Sequence, residues 1–187
     1  MTVLTIYPEH QPEHGTRYTD TATIQEHLHS LGVQFEHWNA DYQLALDADQ
    51  NTVLIAYREP INALKQKHYF QSIDVIRVHP DQPEKEEIRK KFLAEHVHDD
   101  FEIRFFIEGC GLFYLHVADK VYVVLCERGD LISVPANIPH WFDMGENPSF
   151  TCIRFFTTPY GWVANFTGNP ISESFPTLDQ FVADIHD

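Results

Sequence analysis

Between residues 95 and 109 the chain reads EHVHDDFEIRFFIEG, and polar and apolar positions alternate over most of it. His96, His98, Asp100, Glu102 and Arg104 share one parity, while Val97, Phe101, Ile103, Phe105 and Ile107 share the other. Alternation of period two predicts a strand with one apolar face and one densely ionisable face. Downstream, LFYLHV, VYVVLCE, LISVP and SFTCIRFF repeat the strand pattern, separated by GCG, ADK, RGD and ENP, and SIDVIRVHP adds a strand upstream. Short strands at such even spacing predict an antiparallel barrel or sandwich.

Earlier in the chain the period is helical. Ile24, Leu28 and Leu31 line one face of a helix over about 22–30, which Thr19 or Asp20 can cap and Gly32 can stop. A second helical pattern runs from about Asn51 to Lys67 through Leu54, Ile55, Ile61 and Leu64, and Pro60 is expected to kink or divide it. PEKEEIRKKFLAEH predicts a short charged helix, and TLDQFVADIHD a last one. The expectation is one mainly β domain with flanking helices over 1–187: a helical amino-terminal part (1–70), a β-barrel core (71–158) and a carboxy-terminal tail (159–187).

Composition narrows the function classes. The 187 residues, 43% hydrophobic, suffice for the core of one ordinary domain and are thin for two. Lys and Arg total 13 against 28 Asp and Glu, a net charge of -15, and that field repels nucleic acid and anionic membranes. No run of about 18 apolar residues and no basic, apolar leader is present. The expectation is an unexported, cytoplasmic monomer that binds neither nucleic acid nor membrane. Cys110, Cys126 and Cys152 are odd in number, form no CxxC pair and lie in apolar stretches, as buried free thiols of a reducing compartment would. Arg128-Gly129-Asp130 is expected to be a turn.

Two HxH pairs occur, and secondary structure separates them. His27 and His29 fall on a helix pattern, where positions two apart point about 200° from each other at 3.6 residues per turn. They cannot chelate one ion. His96 and His98 would point the same way from an extended backbone, and Glu102 continues that face, so three metal-type ligands converge. In a barrel the ionisable face can line a cavity while the apolar face packs outward; a wetted surface face is the alternative.

A second stretch, GDLISVPANIPHW, turns at Gly129 and Asp130, ends a short strand at Pro135, offers Asn137 for a left-handed turn and brings His140 to the start of another strand. Together the two stretches resemble the paired motifs of the cupin superfamily. His96, His98, Glu102 and Gly109 match the first motif; Gly129, Pro135 and His140 match the second. Lys90, Asn137 and Met144 depart from it, at positions where cupins usually carry glycine, glycine and asparagine. Within cupins the chain is similar to the acireductone dioxygenase family along most of its length, notably in PEKEEIRKKFLAEHVHDDFEIRFFIEGCGLFYLHV, GDLISVPANIPHWFDMG and CIRFFTTPYGWVANF.

The resemblance implies a cupin-type jelly-roll barrel, one Fe2+ or Ni2+ per chain ligated by His96, His98, Glu102 and His140, and cleavage of a small enediol by O2. It also implies that the iron form yields formate and the 2-oxo acid precursor of methionine. The nickel form is implied to yield formate, carbon monoxide and 3-methylthiopropionate. Three imidazoles and a carboxylate suit a borderline first-row ion, and four protein ligands leave two of six positions for a chelating enediolate. No GxGxxG or phosphate loop suggests a nucleotide.

Arg104 shares the ligand parity and is the candidate for stabilising the substrate anion, with Arg154 a second; the resemblance favours both, and a buried ion pair is the alternative for each. Phe92, Phe105, Phe142 and Trp162 are candidates to wall a pocket for an apolar tail, against the commoner fate of core packing. Glu95 and Asp100 could orient ligand N–H groups or shuttle a proton, with solvated surface charge the alternative. Two other functions remain: a different cupin metalloenzyme, such as a flavonol-type dioxygenase or sugar isomerase, or a non-catalytic ligand-binding cupin.

Overall fold

The computed structural model describes residues 1–45 and 47–186. In chain order its elements are β1 (Val3–Pro8), β2 (Thr16–Tyr18), α1 (Thr21–His29), β3 (Gln34–His37), α2 (Gln50–Ala56), α3 (Arg58–Lys67), β4 (Ser72–Val78) and α4 (Lys85–Leu93). There follow β5 (His96–Val97), β6 (Glu102–Val117), β7 (Lys120–Glu127), β8 (Asp130–Val134), β9 (His140–Asp143), β10 (Phe150–Phe156), β11 (Asn165–Phe166) and α5 (Leu178–His186).

The alternating strands form two antiparallel layers that share β6. Its first half pairs with β10 and β8, which β4 and β3 extend outward. Its second half pairs with β7 and β9, in the order β11-β5-β9-β6-β7-β1-β2. The sequence reading broke the chain at Gly109-Cys110-Gly111; the structure instead runs one strand through it, because a bulge bends β6 there. The register slips opposite Thr151 and Cys152, and Gly109 takes a positive φ of 69°. A Cβ on Gly109 would lie 1.8 Å from the Ser149 carbonyl oxygen, so only glycine fits this corner.

Three apolar clusters follow from the alternation. Between the layers lie Leu4, Phe106, Phe113, Val124, Ile132, Phe142, Phe150 and Cys152. Outside one layer, Ile103, Phe105, Ile107, Ile153 and Phe155 pack with Val53, Tyr57, Ile61 and Leu64 from the α2–α3 region. Outside the other, Leu112, Tyr114, Val123 and Trp141 pack with Ile171, Phe175, Leu178 and Phe181 of the carboxy-terminal segment. The apolar face of residues 103–107 therefore packs outward on helices, which leaves Glu102, Arg104 and Phe106 facing inward.

Asp20 caps α1 through the Thr23 amide, and Gly32 follows its end with a φ of 77°. The amino-terminal part is not purely helical as expected: it adds β1, β2 and β3, with β1 inserted between β7 and β2. The run VLTIYP, apolar on both faces, belongs to a strand covered on both sides. The long helical pattern divides at Tyr57 rather than at Pro60. Pro60 has no N–H for the Ala56 carbonyl, so the helix ladder fails at that point, and the proline itself falls in the first turn of α3, where no such donor is needed. Tyr57 turns into the core and donates its hydroxyl to the Ala40 carbonyl at 3.1 Å.

The other expectations took the following form. Gly129 turns β7 into β8 with a φ of 95°, and Asn137 is left-handed at 63°. The three cysteines are free. Among the described residues no helix is long and apolar enough to cross a membrane.

Candidate metal centre

The first ligand segment is not the single strand that its alternation predicts. β5 is only His96–Val97, residues 98–101 bend, and β6 starts at Glu102. The cause is Asp100. Its buried carboxylate accepts from the Thr157 amide at 2.6 Å, the Thr157 hydroxyl at 2.6 Å and the Thr158 amide at 2.9 Å, and these distant partners draw the segment out of the ladder. His96 stays in register with His140 of β9, so two ligand candidates face each other directly.

His96, His98 and His140 bring ring nitrogens within 4.8 Å of one another, and all three are buried. Each ring donates its Nδ1–H to a backbone carbonyl: His96 to Ala94 at 2.7 Å, His98 to Val163 at 2.8 Å and His140 to Ile138 at 2.7 Å. A carbonyl only accepts, so each Nδ1 carries a proton, and the neutral ring presents its Nε2 lone pair. Glu102 Oε2 lies 3.7 Å from His98 Nε2 and 3.6 Å from His140 Nε2.

Electrostatics match this donor set. Burial, reinforced by the His140 ring, pushes His96 down to about 4, and burial likewise lowers His98. Burial alone would raise Glu102, but the Arg104 guanidinium and then His140 and His98 outweigh it and hold the carboxyl well below its usual range. Among the described residues Glu102 Oε2, His140 Nε2 and Arg104 Nη1 are buried without a hydrogen-bond partner. A carboxylate oxygen and imidazole nitrogens that converge at 3.6–3.7 Å without hydrogen-bonding one another fit a cation, and three imidazoles with one carboxylate fit a first-row transition metal.

Arg104 adjoins this centre. It is buried, donates Nε–H to Glu102 Oε1 at 2.7 Å, and lies 4.9, 5.1 and 5.4 Å from the ring centres of Phe142, Phe113 and Phe92. Phe92 and Phe142, two of the candidate wall residues, thus lie beside this guanidinium. Phe113 went unnoticed because its parity is opposite to that of Arg104; the bulge after Phe106 reverses the inward parity of β6.

The remaining candidates take these places. Phe105 lies on the opposite face of β6 from Arg104, against Trp38 and Tyr57, each 5.6 Å away. Trp162 is 49% exposed, on the loop whose Val163 carbonyl holds His98. Arg154 sits directly across the ladder from Arg104, but its fork is bidentate on Asp74 at 2.9 and 2.7 Å. Glu95 and Asp100 are buried rather than solvated, and backbone carbonyls orient the ligand rings in their place. Glu95 instead bonds His116 Nδ1 at 2.7 Å and the Thr167 hydroxyl.

Similarity to known proteins extends over the same features. The ARD/ARD' family model matches residues 4–164. Acireductone dioxygenase from Methylococcus capsulatus is 51% identical over 182 residues, 97% of this chain and 98% of that protein. The enzyme of that name from Cronobacter sakazakii is 52% identical over 95% of this chain and 99% of its own length. Among solved structures, acireductone dioxygenase from Bacillus anthracis, with a cadmium ion in its active centre, superposes with a TM-score of 0.78 at 28% identity, covering 89% of this chain and 98% of that one. With a cupin barrel, a three-histidine centre and relatives matched end to end, this chain belongs to the ARD/ARD' family of acireductone dioxygenases.

Proposed function

We propose that the chain cleaves an acireductone, 1,2-dihydroxy-5-(methylthio)pent-1-en-3-one, with O2, holding one Fe2+ or Ni2+ through His96, His98, Glu102 and His140. The observation that carries this reading is the convergence of three buried imidazoles on the unpartnered Glu102 Oε2, beside a buried guanidinium with a donor to spare. A bound first-row ion supplies Lewis acidity and a template for two substrate oxygens.

The chain's own residues supply the rest. Arg104 Nη1 is free to donate to an enediolate oxygen, and its fixed charge favours the ionised substrate. Its Nε–H, held by Glu102 Oε1, fixes the direction of the fork. Phe92, Phe113 and Phe142 keep water from that contact and offer an apolar wall to the methylthio tail. The electron-rich enediolate reduces dioxygen itself, so no nucleotide or reductant is consumed, and both oxygen atoms enter the products.

The iron-loaded protein is expected to release formate and 4-methylthio-2-oxobutanoate, the nickel-loaded protein formate, carbon monoxide and 3-methylthiopropionate. The ligand set accepts both ions, so availability decides which is bound. We place the protein in the cytoplasm, in keeping with its three free thiols, and expect a monomer. The test is to strip the protein, reload it separately with Fe2+ and Ni2+, mix each anaerobically with the acireductone and then admit oxygen. Absence of oxygen uptake in both samples overturns the dioxygenase reading; identical products from the two overturn the dependence on metal.

A further inference from the structure

Helix α4 carries Phe92, yet little fastens it to the barrel. None of its residues is fully buried, and its first turn has no side-chain cap. Ile88 and Phe92 only partly enter the inner core, and Phe92 meets Phe142 at a ring distance of 5.8 Å. One polar contact stands out. Arg89, on the same helix face as Phe92 at spacing i, i+3, donates Nε–H to Asp143 Oδ1 at 2.7 Å and an Nη2–H to Asp143 Oδ2 at 3.1 Å.

Asp143 has zero solvent exposure and lies at the end of β9, the residue after Phe142 and three after His140. Its carboxylate also accepts from the Gly145 amide at 3.0 Å and from the Leu178 amide, at the start of α5, at 2.8 Å. A single carboxylate therefore joins the strand of the fourth metal-ligand candidate to α4 and α5. The other groups facing Arg89 are Asp179, 3.8 Å away, and Glu146.

We infer that Arg89 is a positioning residue: through Asp143 it fixes α4 on β9, so that Phe92 stays over the Arg104 guanidinium and closes the apolar wall beside the substrate. Arg89 touches neither metal ligands nor substrate in this account. Two bonds of a planar fork to a fully buried acceptor fix the helix in both rotation and height, as a lysine's single point charge would not. The inference rests on the proposed role of Phe92 and Arg104 in the acireductone site.

The experiment combines kinetics with exchange. Arg89→Met keeps the stem and removes the fork; it is expected to raise KM for the enediol about fivefold or more at full metal content, with kcat nearly unchanged, because it loosens a wall that contacts ground and transition states alike. In a Phe92→Ala background the same change should add less than about twofold, since coupled residues are not additive. Arg89→Lys should rescue only in part. Amide hydrogen exchange over 88–93 should quicken about tenfold or more in Arg89→Met, with β6 and β7 unaltered. Full additivity with Phe92→Ala, or unchanged exchange over 88–93, overturns the inference. A wild-type protein that takes up no oxygen overturns the proposed activity alone, and the exchange result still decides whether Arg89 anchors α4.

Discussion

The two faces of β6 between Glu102 and Ile107 are equally buried and differ in almost everything else. The outward face, Ile103, Phe105 and Ile107, packs in an apolar cluster with side chains from the α2–α3 region. The inward face holds Glu102 and Arg104, whose unpartnered Oε2 and Nη1 lie buried among histidines and aromatic rings. An apolar face is complete in itself, whereas a charged one left partly unpaired at this depth is destabilising unless a ligand completes it. The strand thus separates the work of holding the barrel from the work of binding at intervals of one residue.

Substitutions on the two faces should fail in different ways. The largest effect is expected from Glu102→Ala: metal, about one equivalent in the wild type, should be largely lost and turnover with it, because removing a ligand exceeds the roughly 10–100-fold loss typical of an outer-shell partner. Metal analysis with retained stoichiometry would erase the distinction between the faces. Next, Phe105→Ala on the outward face should cost about 3–5 kcal/mol of stability, a fall in Tm of roughly 6–20 °C, with metal per folded molecule unchanged. Calorimetry beside metal analysis checks it, and joint loss of metal and packing would show that the faces are coupled.

Smaller effects concern the two arginines that face each other across β6 and β10. Arg104→Ala should retain metal and lose about ten- to hundredfold in turnover, the equivalent of roughly 1.5–3 kcal/mol for a charge-assisted contact in a dry site. Steady-state oxygen uptake at matched metal content measures this. Arg154→Met should change kcat/KM by less than about threefold, since its fork is already taken by Asp74 and that partly exposed pair contributes little. Equal losses in the two variants would put Arg154 on the substrate, as the sequence alone suggests.

What the sequence disclosed was set by distance along the chain. Ligand parity, the caps of α1, the turn at Gly129 and the left-handed Asn137 depend on neighbours within a few residues, and all were legible. The bend at 98–101 was not, because the groups that cause it, Thr157 and Thr158, come from more than fifty residues downstream. Parity also misled beyond Phe106, where a bulge, marked locally only by the glycines that read as a strand break, turned Phe113 inward. Phe105 had the opposite parity to Arg104 and the candidate ligands from the start, and that alternation was enough to place it on the other face. The carbonyls that fix the ligand tautomers left no trace in the sequence, since every residue carries one.

The insertion of β1 between β2 and β7 has a consequence for how the molecule is made. Val3 pairs with Leu125 and Pro8 with Lys120, so β1 is made well before its principal partner, which lies more than a hundred residues further along the chain. Until that partner exists, β1 has only the three-residue β2 beside it, and an isolated hairpin of this size is marginal in water. Closing so long a loop delays the pairing and raises the contact order, which slows folding. The nascent chain therefore carries an apolar VLTIYP segment without its principal partner until β7 has been made, and the layer that carries His96 and His140 is completed only then.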